Sequence, residues 1–324
     1  MQAYDIASQF GLKPSDGPDR DIAGLSSFLV AREQDLCFVE DPNIYARHDG
    51  RRQPGVCIAR APHPASAFPQ TLFLSSDTPK ETFFSIASKL YSPRRSNTPE
   101  SGEQPNIHAG VELSAGVKIC DGVAIGKNTV IGANTVIGAG VQIGSDCEIG
   151  ANVSIQCSLI GNTVRIQSGA RIGEAGFGLM TSQSGPMRDI PHFGRVIIQD
   201  HVSIGANTCV DRGMLDDTII GEWTKIDNQG HIGHNTVIGR NTVMAAYAGI
   251  SGSVIVGDNV RMGGRVGLVD HIQVGHGAQI AAGSAVMTSV PDGEVWAGAP
   301  AKPIRKWQRE LIWLKNQARK DKSK

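Results

Sequence analysis

From Ile107 to about Val286 an aliphatic residue returns at every sixth position for most of the way. The first run holds from Ile107 to Ile155, in stretches such as IGKNTV and IGANTV, then slips by one residue before Ile160, Ile166 and Ile172. A break follows, then Ile198, Ile204 and Val210, a second short insertion, and an uninterrupted run from Ile220 to Val286. A period of six matches neither the 3.6 of a helix nor the 2 of a half-buried strand. It predicts a solenoid of hexapeptides, a parallel β-helix in which each hexad is one short strand and a corner. The aliphatic residue points into the axis, and Gly, Asn or Asp at the corner tolerates positive φ. Coils stacked at the strand spacing of about 4.8 Å bring like inward positions into ladders. A disordered Gly-rich linker has no reason to keep such a register.

Residues 1–92 lack the period and read as a separate small α/β domain. VCIA (Val56 to Ala59) and TLFL (Thr71 to Leu74) predict strands, and PKETFFSIASKLYS predicts a helix with Pro79 in its first turn. A polar linker, 93–106, leads into the solenoid at 107–290, and 291–324 forms a helical extension. In that extension Ile304, Trp307, Leu311 and Leu314 recur at helical spacing, which predicts a helix packed on one face. Between 173 and 197 the register is broken by GEAGFGLMTSQSGPMRDIPHFGRV, too long for a corner. A loop extruded from a solenoid often carries function, and Arg188, His192 and Arg195 suit contact with an anion.

Composition narrows the partners. Lys and Arg total 31 against 31 Asp and Glu, a balance that argues against nucleic acid as the main one. The six cysteines show no C-x-x-C spacing and read as reduced thiols of a cytoplasmic protein. No signal peptide and no apolar run of the roughly 20 residues needed to span a bilayer is present. In the front domain, LCFVEDPNIYARHDG offers Phe38 and Tyr45 to stack on a planar base, with Asp41 or Asn43 at its edge; the same rings could instead fill a small core.

The segment VDRGMLDDTIIG, followed by KIDNQ and HIGHN, together with IGEAGFG, FGRVIIQD and GAPAKPIRKW, carries a resemblance to a known family. The chain resembles the UDP-3-O-acylglucosamine N-acyltransferases of lipid A biosynthesis over nearly its whole length, front domain included. The resemblance implies a mainly β fold, a left-handed parallel β-helix with three hexads to a coil, an N-terminal uridine-binding α/β domain and a C-terminal helix. It implies a homotrimer with active sites between subunits. The implied reaction moves an (R)-3-hydroxyacyl group from acyl carrier protein to the 2-amine of UDP-3-O-(3-hydroxyacyl)glucosamine, and needs no metal or organic cofactor.

An amine attacks a thioester only when unprotonated, so the site needs a base of near-neutral pKa, for which histidine suits. The resemblance gives that place to His234, with Asp227 as the acidic partner that orients it. One coil is eighteen residues, so Gly252 should stack on His234, and its amide is the oxyanion donor that the resemblance also implies. By resemblance His271 contacts substrate phosphate or assists the chemistry, and Phe38 and Tyr45 contact uracil. Asp41 stands where relatives commonly read Asn, and a carboxylate cannot donate to a uracil carbonyl. Asn228 and Gln229 could bind sugar hydroxyls, and Ala285 and Met287 could line a groove for the fatty chain. The basic tail, with Lys302, Arg305, Lys306 and Arg309, could steer the acidic carrier protein.

Other readings compete. His234 with the H-x-x-x-x-H pair of His271 and His276 is similar to the zinc site of γ-carbonic anhydrases, where the front domain, RGMLDDTIIG and the basic tail have no role. Another nucleotide-sugar acyltransferase with a different donor, or a non-catalytic homologue, shares the solenoid.

Overall fold

The computed structural model describes residues 1–48, 52–91, 102–180, 186–298 and 303–321, with side chains described up to 317. The hexads fold into three parallel sheets of nine, ten and nine strands, which form the faces of a β-solenoid. The first face starts at Asn106–Ile107, the second at Glu112–Leu113 and the third at Lys118–Ile119. Each strand pairs with its counterparts one coil before and one coil after, as Ile131 does with Leu113 and Ile149. Inward residues such as Ile131, Ile149, Ile166, Ile204 and Ile226 therefore form a buried column. Burial of each such side chain is worth roughly 1.5–3 kcal/mol.

Polar residues close the corners. Asn128, Asn134 and Asn241 turn the chain at φ of 58°, 57° and 53°, a region that Asn tolerates. The buried threonines of the NTV hexads bridge coils: Thr242 Oγ1 donates to Gly257 O (3.0 Å) and accepts from Val260 N (3.2 Å). A third device recurs two residues after the inward aliphatic. There the backbone N–H is capped by the side chain one coil on, from Ser145 to Asn162 (2.9 Å), Ala206 to Asn228 (2.7 Å), Arg240 to Asp258 (2.7 Å) and His276 to Asp292 (2.8 Å).

The front domain is a five-stranded sheet in the order β1 (Lys13–Pro14), β5 (Leu72–Ser75), β4 (Val56–Ala59), β3 (Asp35–Val39), β2 (Gly24–Leu25). Only the β1–β5 pairing is antiparallel. The strand at 56–59 lies where the sequence predicts it, and the one expected at Thr71 starts one residue later. Helices α1 (Ala3–Phe10) and α2 (Pro79–Leu90) pack on one side of the sheet, through Ile6, Phe83 and Ile86 against Leu36, Ile58 and Leu74. The expected linker at 93–106 lies outside the described residues as far as 101.

Ile190 of the 173–197 insertion is buried in that same α/β core, and Met180, Phe193, Met214 and Leu215 pack against it. The extruded loop thus ties the front domain to the solenoid. The tail forms helix α3 (Ile304–Asp321) as expected, but its apolar flank does not pack within the chain. Trp307 is 47% exposed and Leu314 56%, because the helix starts beyond the last strand, Val295–Trp296, and past the aliphatic core.

Candidate active site

His234 follows the third-face strand His231–Ile232 and sits at the corner leading to the first face. Its Nδ1 lies 3.0 Å from Asn235 Oδ1. That oxygen also accepts from Met214 N (2.9 Å), while Asn235 Nδ2 donates to Asp216 O (3.3 Å), so the amide can point only one way. An oxygen can only accept, so Nδ1 carries the proton and Nε2 presents its lone pair. This is the tautomer a general base needs.

Gly252 stacks on the ring as the eighteen-residue coil requires. A Cβ on Gly252 would stand 2.8 Å from His234 Nε2 and from Cε1. Among the described residues the caps of the first- and second-face corners have no counterpart at this one. His234 occupies the equivalent place in its hexad, and the residue one coil on is a glycine with no side chain to offer. Gly252 occupies the next, and among the described residues its N–H makes no hydrogen bond; Asp270, one coil further, does not cap it. Gly252, with its uncapped backbone N–H, thus lines the same cleft as His234, where an oxyanion donor is needed.

The space is a cleft of about 830 Å³. The solenoid lines it with Asp211, His231, His234, Gly252 and His271, the front domain with Phe38, Glu40 and Lys80, and the extruded loop with Phe177 and Leu179. His271 also borders a neighbouring groove of about 1030 Å³ that runs beside Phe38 and Asp41.

Within the chain Asp227 does not meet His234. It follows the second-face strand Lys225–Ile226, one corner earlier, where it is exposed and its Oδ1 accepts from Asn228 N (2.8 Å). A separation of seven residues spans more than one side of the prism, so the two side chains leave from different edges. The contact to Nδ1 comes instead from Asn235, and the nearby carboxylate is Asp211, whose Oδ2 is 3.6 Å from His231 Nε2. Burial raises the Asp211 carboxyl above its ordinary pKa, Glu174 adds to this, and the charges of His231 and His234 oppose it. The adjacent Asn in HIGHN was the signal for Asn235; Asp211 lies one coil back, next to Gly233 in the register of the third face.

Asn228 and Gln229 share the corner of Asp227 and do not line the cleft. Asn228 Oδ1 is used to cap Ala206. Phe38 and Tyr45 do not form one clamp. On β3, Leu36 and Phe38 face the helices, so Phe38 packs on Phe83 (4.9 Å between ring centres) at the edge of the cleft. Tyr45 lies on the opposite side of the sheet, edge-on to Phe28 (5.3 Å) in a separate core, where burial raises its hydroxyl pKa. Asp41 caps its own turn, Oδ1 accepting from Asn43 N (3.0 Å). Ala285 stands in an outward column, His231, Gly249, Gly267, Ala285, that leads away from the cleft along the third face, and Met287 is exposed beyond it.

The loop residues expected to meet an anion divide. His192 is buried against His234, Arg195 is paired with Asp217 (2.9 Å), and Arg188 is exposed. His276 Nδ1 accepts from Asp258 N (3.0 Å) at the corner between the first and second faces, away from the cleft. Among the described residues no three His, Cys, Asp or Glu side chains are grouped to hold a metal ion.

Exchange of Asp211 for Asn tests whether its charge supports the base. The variant is expected to lose about tenfold in kcat, the equivalent of one pKa unit. Its thermal midpoint should be unchanged or higher at neutral pH. A carboxyl whose folded pKa is raised favours the fold below its unfolded pKa and loses that contribution as pH rises through the folded one, so the neutral amide removes a cost. Unaltered kcat would show that Asp211 is structural.

The chain is similar to known proteins. The family described as bacterial transferase hexapeptide (six repeats) matches residues 104–139 and 128–158, and the hexapeptide repeat of succinyl-transferase matches 253–287. A UDP-3-O-acylglucosamine N-acyltransferase from Caulobacter sp. (strain K31) is 46% identical over 87% of this chain and 83% of its own. One from Rhizobium meliloti (strain 1021) is 47% identical over 95% of this chain and 90% of its own. A solved UDP-N-acetylglucosamine acyltransferase from Campylobacter jejuni is 24% identical over 57% of this chain and 68% of its own, with a TM-score of 0.46. The chain belongs to the UDP-3-O-acylglucosamine N-acyltransferase family.

Proposed function

We propose that the cleft holds the 2-amine of UDP-3-O-(3-hydroxyacyl)glucosamine at His234 Nε2 and the carbonyl oxygen of an (R)-3-hydroxyacyl thioester at the Gly252 N–H. As the C–N bond forms, His234 takes the amine proton. It returns the proton to sulfur as the C–S bond breaks, and the Gly252 amide stabilises the oxyanion between. The observation that carries this reading is the uncapped Gly252 amide beside a ring whose tautomer Asn235 fixes.

The rest of the substrate follows the walls. Phe38, with Lys80 nearby, suits the uridine end, while Tyr45 packs on the other side of the sheet. His271 at the mouth suits a phosphate. The acyl chain runs along Gly249 and Gly267, where a Cβ would meet no heavy atom within 4 Å, toward Ala285 and Met287. An outward aliphatic ladder on the first face, Ile197, Ile219, Val237 and Ile255, supports a homotrimer that covers it.

The donor proposed is 3-hydroxyacyl carrier protein, an acidic partner for the exposed Arg305, Lys306 and Arg309 of α3. Purified protein given UDP-3-O-acylglucosamine should transfer the chain from carrier protein in preference to coenzyme A, with kcat/KM falling as salt is raised. Equal use of both donors, or a rate indifferent to salt, would remove the carrier protein from the proposal.

A further inference from the structure

The loop that fills the break in register folds back over the base. A Cβ on Gly176 would stand 2.9 Å from His234 Cβ and Cδ2 and 3.0 Å from His192 Nε2, so the backbone there lies against both rings. The two imidazoles meet edge to face, 5.3 Å between centres at 70°. His192 is 1% exposed. Its Nδ1 is 2.9 Å from Ile190 O, and a carbonyl can only accept, so Nδ1 holds the proton and Nε2 a lone pair. That Nε2 is buried, and among the described residues no group donates to it. A bare buried acceptor is costly and uncommon in a native fold. Nothing in the packing of the loop requires it, since an apolar ring would fill the same space.

We propose that His192 is a positioning residue for acyl transfer, whose buried Nε2 lone pair faces His234 and stabilises the imidazolium formed between proton uptake from the amine and proton delivery to the departing sulfur. Nε2 of His234 is left free for the substrate and its Nδ1 for Asn235, so His192 acts on the ring without competing for either nitrogen. Burial, the main cause, lowers the His192 pKa to about 4, with the charges of His234 and Arg212 acting in the same direction. It therefore stays neutral and does not take the proton in place of the base. The other titratable groups around the pair are Asp211 and His231 on the third face, with Glu174 at the root of the loop.

The inference rests on His234 as the base, and its test separates the two. The pH dependence of kcat and KM is measured for wild type, His192→Phe and His192→Gln. His192→Phe fills the volume without a lone pair. It is expected to lower plateau kcat about tenfold, to leave KM within about twofold, and to move the acid limb to lower pH, since a less stabilised imidazolium is a stronger acid. His192→Gln supplies an amide oxygen and should recover most of the rate, to within about threefold of wild type, and the position of the limb. If the Phe variant does not fold, His192→Met serves as the apolar replacement. Wild-type plateau and limb in the apolar variant would overturn the inference. So would equal loss in the apolar and Gln variants with an unmoved limb, which is the pattern of packing alone. A His234→Ala protein as active as wild type would instead remove His234 as the base.

Discussion

Alanine at position 234 is expected to reduce kcat by about 10²–10⁴-fold while KM for both substrates changes little. The split follows from where the side chain acts. In the ground state His234 offers only a lone pair to an amine that water solvates equally well; its contribution grows when the amine nitrogen becomes acidic on bonding to the carbonyl carbon. Asn235 keeps its own bonds to Met214 and Asp216 in the variant, so the corner should survive and the thermal midpoint should move little. The ring is half-buried and outside the aliphatic column, whose member in this hexad is Ile232. Steady-state kinetics with a melting curve on the same sample decide the matter. A fall in kcat with an intact melt fits the base assignment, and an undiminished kcat ends it.

Periodicity made the solenoid legible because a one-dimensional stack repeats one local rule: aliphatic inward, Asn or Gly at the corner. The same rule placed Gly252 on His234, since coil length is fixed by three hexads. It says nothing of Asp227, which came from the family resemblance and does not meet His234 within the chain. In a prism a side chain meets its neighbours one coil away more readily than those around the corner, so Asp211 reaches the cleft of His234 and Asp227 does not. Asn228 shows the cost of reading a polar corner as a ligand: its carbonyl is used to close the coil before it. His192 could not be placed at all, because a loop outside the repeat carries no register. In the front domain the alternation on β3 separates Phe38 from Cys37 and Val39, but the turn after it, 42–47, decides on which side Tyr45 lands. Strand parity does not extend through such a turn.

Gly252→Ala isolates the second half of the machinery. The backbone there is not in the left-handed region, so alanine carries no conformational strain of that kind, and the nearest atoms to the added methyl are those of the His234 ring, at 2.8 Å from Nε2 and Cε1 and 3.2 Å from Cδ2. Something must give, and either response is damaging. If the ring stays, the methyl occupies the space where amine and thioester meet; if the ring yields, Nε2 leaves its line toward the amide. The expected loss is about 10²–10³-fold in kcat, the range seen when one oxyanion donor is removed. The midpoint of melting should stay within about 3 °C, as the site lies outside the buried column. Other coils give the reason to expect a stable but inactive protein. At Ala206, Arg240 and His276 the equivalent amide is capped by a side chain from the next coil, and the solenoid is closed and inert there. At His234 and Gly252 that cap is missing twice in succession, first because position 252 has no side chain and then because Asp270 does not make the bond. The catalytic corner is thus a corner of the repeat with two successive amides free of such a cap, and a loss of stability rather than of kcat in Gly252→Ala would contradict its assignment to the oxyanion.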